Sequence, residues 1–212
     1  MTNERKPTLY PALEAYVEKL REKTRLIPEA RKELLAELAK YIRQKQANND
    51  PVSLNFICTH NSRRSHISQV WATAAAAYYG LEDINTYSGG TEATAFNPRA
   101  VAALERAGFQ IENPGGSNPH YRVSFSPNRP ALECFSKTYD DPFNPQKEFA
   151  AIMTCSEADE NCPFIPGAEF RLPLTYDDPK EADDTPEETA RYDERVRQIG
   201  REIFYAFSTI NI

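Results

Sequence analysis

Val52–Ser65 reads VSLNFICTHNSRRS, an apolar stretch running directly into a polar loop that opens on Cys58 and closes on Arg64 and Ser65. Leu54, Phe56 and Ile57 mark a short strand, and the spacing from cysteine to arginine has the form C-x5-R-S. A loop of that length can curl until its backbone N–H groups point inward, making a nest for a tetrahedral oxyanion. The N-terminal end of a following helix adds positive charge. Such surroundings favour the thiolate form of a cysteine at the floor of the nest. The planar fork of Arg64 can then hold two oxygens of the anion. C-x5-R alone also describes a strand-end cysteine followed by surface arginines. Its place after an apolar strand and before a helical run is the context that gives it chemical meaning. The expected oxyanion-binding residues are Thr59, His60, Asn61, Ser62, Arg63 and Arg64. His60 and His66 bracket the loop, either tuning it or standing as exposed neutral imidazoles. The Arg63 side chain is expected to point outward or to pair with an acidic residue.

Downstream of the loop, a helix is expected from about Ser65 to Tyr79, with the alanine run Ala72–Ala77 packing closely against a sheet. A strand follows near Ile84–Ser88, then a helix capped by Asn97 with Pro98 in its first turn. Val101, Leu104 and Phe109 of that region are expected to face the sheet. Strand–helix–strand–helix alternation points to a doubly wound, mostly parallel four-stranded α/β sheet flanked by helices. FAAIMT at Phe149–Thr154 and a short strand at Phe170–Leu174 would complete it. Between them and the first half, residues 112–147 are dense in Pro, Gly and Asn and read as an irregular insertion with one or two strands, near Tyr121–Phe125 and Leu132–Phe135. The last helix is expected to open on the capping box Thr185-Pro186-Glu187-Glu188. Its stripe of Ala190, Val196, Ile199, Ile203 and Phe207 would pack inward. Upstream, residues 8–47 show apolar positions at helical spacing on either side of Pro28. The resulting division is an N-terminal helical extension over 1–50 and an α/β domain over 51–212. The extension reads as a helical hairpin packed on the main domain or forming a homodimer with a second subunit.

The 212 residues suffice for one such domain and a sizeable core. A net charge of −6 argues against a nucleic-acid binder. There is no apolar run long enough for a membrane span and no signal-peptide pattern. The four cysteines, Cys58, Cys134, Cys155 and Cys162, do not make a secreted disulfide scaffold and point to a reducing, cytoplasmic compartment. The three histidines lack metal-ligand spacing with them, so no metal is expected.

Two further groups carry chemistry. Cys155 and Cys162 follow the FAAIMT strand at the sheet edge where open α/β folds place their sites. A local loop could bring their sulfurs together, either as plain lining of a turn or as a relay that attacks and then frees Cys58. Asp177 and Asp178 stand in an acidic tract before Pro179. They read either as solvated charge or as a carboxylic acid over the nest, able to protonate a leaving oxygen. The same YDDP at Tyr139–Pro142 is expected to be a turn.

The loop Cys58-Thr59-His60-Asn61-Ser62-Arg63-Arg64-Ser65 resembles that of the low-molecular-weight protein tyrosine phosphatases, and most closely their thioredoxin-coupled arsenate reductases. Ser88–Glu92, Asn97-Pro98, Thr154-Cys155 through Cys162-Pro163, and Asp177-Asp178-Pro179 share the resemblance. It implies Cys58 as nucleophile, Arg64 as oxyanion clamp, Asn61 as loop former and Ser65 as support of the thiolate. Asp178 would be the general acid, with Asp177 beside it, and Cys155 and Cys162 the redox relay. The implied substrate is arsenate, or phosphate carried by a phosphorylated protein. No bound cofactor is implied, and a thioredoxin-type protein would be the reductant. Departures include His60 in place of a small residue and Arg63 in place of a further cysteine. Lys180-Glu181-Ala182 replaces the tyrosines that grip an aryl phosphate. The main expectation is therefore arsenate reduction, with phosphotyrosine hydrolysis as its alternative.

Overall fold

A computed structural model describes residues 9–210, so the helical reading over 8–47 falls within it except at residue 8. In chain order the elements are α1 (Pro11–Arg21), α2 (Glu29–Ala47), β1 (Val52–Cys58), α3 (Arg64–Tyr79), β2 (Ile84–Gly90) and α4 (Pro98–Ala107). Then come β3 (Gln110–Glu112), β4 (Tyr121–Ser124), β5 (Leu132–Cys134), β6 (Phe149–Met153), α5 (Ser156–Asn161), β7 (Ala168–Pro173) and α6 (Glu188–Ser208).

The main sheet has the order β2-β1-β6-β7, and every pairing in it is parallel. β1 lies inside it and is covered on both faces, which is why its sequence is so apolar. Strand alternation sends Leu54 and Phe56 into the larger core beside α3 and α6. Ile57 faces the opposite way with Ala151 and Met153, toward α5. Helices thus lie on both sides, as a doubly wound sheet requires. At the C-terminal end of β2 two glycines permit close approach. A Cβ on Gly89 would meet the Tyr139 backbone at 2.4 Å, and one on Gly90 would stand 2.7 Å from both Asn61 N and Thr59 O. The anion loop can seat against β2 only because no side chain intervenes.

Several local expectations need correction. The 112–147 region holds the two expected strands as β4 and β5, but they pair with an unexpected β3 at its edge into a second, three-stranded antiparallel sheet, β3-β4-β5. Its strands are three or four residues long and lie among turn residues, too short to display a clear period of two. The YDDP at Tyr139–Pro142 lies in a turn, as expected. α4 is capped by Asn97, whose Oδ1 accepts from Arg99 N at 2.9 Å. Its main contacts are with α6, α1 and β3, and its Val101 and Leu104 are buried in the larger core. α6 begins at Glu188, two residues past Pro186. Glu188 does reach back, but to the amide of Asp184 at 2.7 Å, not to Thr185. Ala190 is exposed, and Tyr192 takes the inward position.

α1 and α2 each make their main contacts with α6, so they dock side by side on the body more than they pair as a hairpin. Leu13, Val17 and Leu20 of α1, and Leu35, Leu38 and Ile42 of α2, are buried in the same core as β1 and α3. The apolar stripe that a second subunit would have to cover is thereby covered within the chain. Among the described residues no helix is long and apolar enough to cross a membrane.

Candidate active site

The loop after β1 is fixed from outside by its carbonyls. Thr59 O accepts from Glu92 N at 2.8 Å and Thr91 Oγ1 at 3.1 Å. His60 O accepts from Thr94 Oγ1 and Ser136 Oγ, both at 3.1 Å, and Ser62 O accepts from Asn97 N at 2.8 Å. Because a trans peptide points C=O and the next N–H in opposite directions, engaging these oxygens outward turns the adjoining amides toward the loop interior. Asn61 supplies the reversal: its φ of 43° is left-handed, a region asparagine enters more readily than most residues. Its side chain is fully used, with Oδ1 accepting from Lys137 N at 2.9 Å and Nδ2 donating to Ser65 Oγ at 2.9 Å. Ser65 Oγ in turn lies 3.0 Å from Cys58 Sγ.

A small cavity at the loop is lined by Cys58, His60, Ser62, Arg63, Arg64 and Asp178. Arg64 opens α3, donating Nη2 to Asp178 Oδ2 at 2.6 Å and Nη1 to Tyr176 O at 2.9 Å. Asp178 also accepts from Lys180 N at 3.1 Å, capping the short 3-10 turn Pro179–Ala182. Asp177 points the other way: its side chain is 90% exposed and meets Arg195 Nη2 at 3.4 Å. Position thus separates the two aspartates, as their shared tetrapeptide could not. The Arg63 side chain leaves the nest, donating Nε to Tyr192 Oη at 2.7 Å and pairing with Asp183 at 3.3 Å. Only its backbone remains available to an anion. His66, expected at the surface or as a tuning group, is wholly buried and stacks on Phe96 at 4.1 Å. Burial holds its proton affinity well below the ordinary imidazole value.

The other thiols lie on the α5 side of the sheet. Cys155 is buried in one apolar cluster with Cys58, Ile57 and Met153, and Cys162 packs against that cluster. Thr59 Oγ1 stands between the nucleophile loop and this pair, 3.5 Å from Cys155 Sγ and donating to Glu157 at 2.9 Å. The segment joining the pair is not the expected loop. It is α5, with Cys155 as its N-cap, accepting from Ala158 N at 3.4 Å, and Cys162 as its C-cap. At about 1.5 Å rise per residue the two caps are about 10 Å apart, beyond the ~7 Å a disulfide allows. All four cysteines are free thiols. Cys134 lies elsewhere in the core, its thiol pushed up to about 12 by burial.

Sequence reasoning passed over Tyr176, whose carbonyl holds Arg64, and Glu157, which holds Thr59. It also passed over Ser136 and Lys137, which buttress the loop from the insertion. Nothing in those residues' own neighbourhoods signals a role, since each acts on a loop at least 76 residues away in sequence. A larger groove of about 570 Å³ adjoins the nest through Arg64 and Asp178 and is lined by Glu157, Asp177, Arg191 and Arg195 among others.

Residues 53–118 match the family described as low molecular weight phosphotyrosine protein phosphatase. Arsenate reductase of Bacillus licheniformis is 30% identical over 154 residues, covering 71% of this chain and 91% of that protein. Arsenate reductase of Halalkalibacterium halodurans is 32% identical over 149 residues, with 70% and 89% covered. Among solved structures, a mutant of YwlE from Bacillus subtilis superposes with a TM-score of 0.50 at 15% identity, covering 76% of this chain and 99% of that one. That last likeness speaks to the fold alone.

Proposed function

Since the chain belongs to the low-molecular-weight protein tyrosine phosphatase superfamily, close to its arsenate reductases, we propose that it reduces arsenate through a Cys58–Cys155–Cys162 relay. The observation that carries this reading is the gathering of Cys58, Cys155 and Cys162 around one apolar cluster, with Thr59 between loop and relay. The Cys58 thiolate attacks arsenic in the nest, and one As–O bond breaks. Asp178 gives that oxygen its proton, so that it leaves as water. Ser65 and the inward amides, including those of the 59–64 loop, stabilise the charges, and Arg64 clamps the remaining oxygens. The Cys155 thiolate then attacks Cys58 sulfur: an S–S bond forms, and the As–S electron pair stays on arsenic, which departs as arsenite. Attack by Cys162 on Cys155 frees Cys58 and leaves the Cys155–Cys162 disulfide. A thioredoxin-type dithiol protein of the cytoplasm would reduce it. Asp177 serves at the rim by pairing with Arg195.

Closing the last disulfide requires α5 to unwind, because its two caps are too far apart while it is helical. Hydrolysis of a phosphate ester requires no such motion and uses only Cys58, Arg64 and Asp178, which favours phosphatase activity as the second reading. Cys155→Ser separates the two. Arsenate turnover with thioredoxin should disappear while hydrolysis of an aryl phosphate persists. Undiminished arsenate turnover in that variant would sink the relay.

A further inference from the structure

We propose that the N-terminal helices are part of the catalytic apparatus, with Arg31 of α2 positioning the Tyr176–Asp178 segment and, through it, the guanidinium of Arg64. This rests on reading the Cys58 loop as an oxyanion nest. Arg31 leaves α2 near its start and donates Nε to Glu202 of α6 at 2.7 Å, with Glu202 only 2% exposed. Its guanidinium carbon lies 4.5 Å from the centre of the Tyr176 ring. Tyr176 is the residue whose carbonyl accepts from Arg64 Nη1 at 2.9 Å, and its own amide donates to Thr154 O at 3.1 Å. The ring is therefore gripped by one arginine and the carbonyl by another. Two residues on, Asp178 takes the second arm of Arg64 at 2.6 Å.

Glu202 also ties the same segment from its other side. Its Oε1 accepts from Gln198 Nε2 at 3.1 Å, Gln198 accepts from Arg195, and Arg195 meets Asp177 at 3.4 Å. One carboxylate, held in place by Arg31, thus braces both flanks of the segment that bears Asp178. A buried ion pair and a cation–π contact hold geometry well, and removing one partner leaves the other charge uncompensated. Other N-terminal contacts are made elsewhere on the body. Leu20 packs by Gly200 and Trp71, and Arg43 donates to Thr209 O at 2.8 Å. These attach the helices to the body; Arg31 reaches toward the nest.

The test uses the full-length chain and inorganic phosphate as probe, with aryl phosphate hydrolysis as the rate measurement. Arg31→Met should weaken phosphate binding and lower kcat by about tenfold, the scale of loss that a slight misplacement produces. Arg31→Lys, which keeps the charge over the ring, should recover most of the loss. Glu202→Gln should reproduce part of it, and stands in if the methionine variant does not fold. Arg43→Ala should lower thermal stability and leave phosphate affinity unchanged. A folded Arg31→Met with wild-type phosphate affinity and kcat overturns the proposal, as does an equal loss in Arg43→Ala. Absence of phosphate binding in the wild-type protein would instead overturn the nest itself, and this inference with it.

Discussion

His66 illustrates what a single residue's surroundings decide. It follows Ser65 directly, yet its ring lies against Phe96 with Nδ1 3.1 Å from Ser88 Oγ and no exposed surface. Burial first, and then the nearby Lys137 ammonium, keep it neutral. In the unfolded chain the imidazole takes a proton below about pH 6.5. As pH falls through that value the unfolded state binds a proton that the folded state refuses. Stability should therefore decline from this residue by up to about 1.4 kcal/mol per pH unit, with no loss above about pH 7.5. Urea melts at pH 7.5 and 5.5 on wild type and His66→Gln check this, since the variant should lose that share of the acid-side decline. The burial was not legible locally because Phe96, which covers the ring, lies 30 residues further along. Asn61 and Ser65 were legible, because a tight loop constrains its own members.

At the scale of elements, α5 is the segment whose shape the spacing of its cysteines left open. Arg171 on β7 latches its last turn, donating to Asp159 O at 2.8 Å and Cys162 O at 3.2 Å and pairing with the Asp159 carboxylate at 2.6 Å. These bonds hold the two thiols apart. Arg171→Met should form the Cys155–Cys162 disulfide several-fold faster under mild oxidation, an effect of about 1 kcal/mol on the latch. It should also raise amide exchange over residues 156–162. An unchanged rate of disulfide formation would count against the latch. Elements with strong local signals, such as β1, α3 and the Asn97-capped α4, were legible to within a residue or two. β4 and β5 were legible too, but β3 and the pairing of the three into one sheet were not, because a three-residue strand becomes one only when paired.

Over the whole molecule, the attachment of α1 to the body is set by close backbone approach. Gly108 ends α4 at φ 109°, and a Cβ there would stand 2.5 Å from Leu13 N. Gly108→Ala combines a disfavoured backbone with a clash against α1 and should destabilise the protein by about 2 kcal/mol. In a protein of this size that lowers the melting temperature by about 4–8 °C, with earlier proteolysis of the N-terminal helices. A melting temperature within a degree of wild type would show that α1 yields freely there.

The sequence by itself determined the strand–loop–helix core, the C-x5-R-S loop and the parallel alternation around it. Those patterns depend on residues within one turn or one strand of each other, where periodicity, capping and loop length act directly. Only the tertiary structure decided that Asp177 turns out to Arg195, that Cys155 and Cys162 cap a helix, and that Arg31 meets Tyr176 from 145 positions away. Contacts of that kind arise when separate elements pack, so their geometry is a property of the assembled core and of no single stretch of chain.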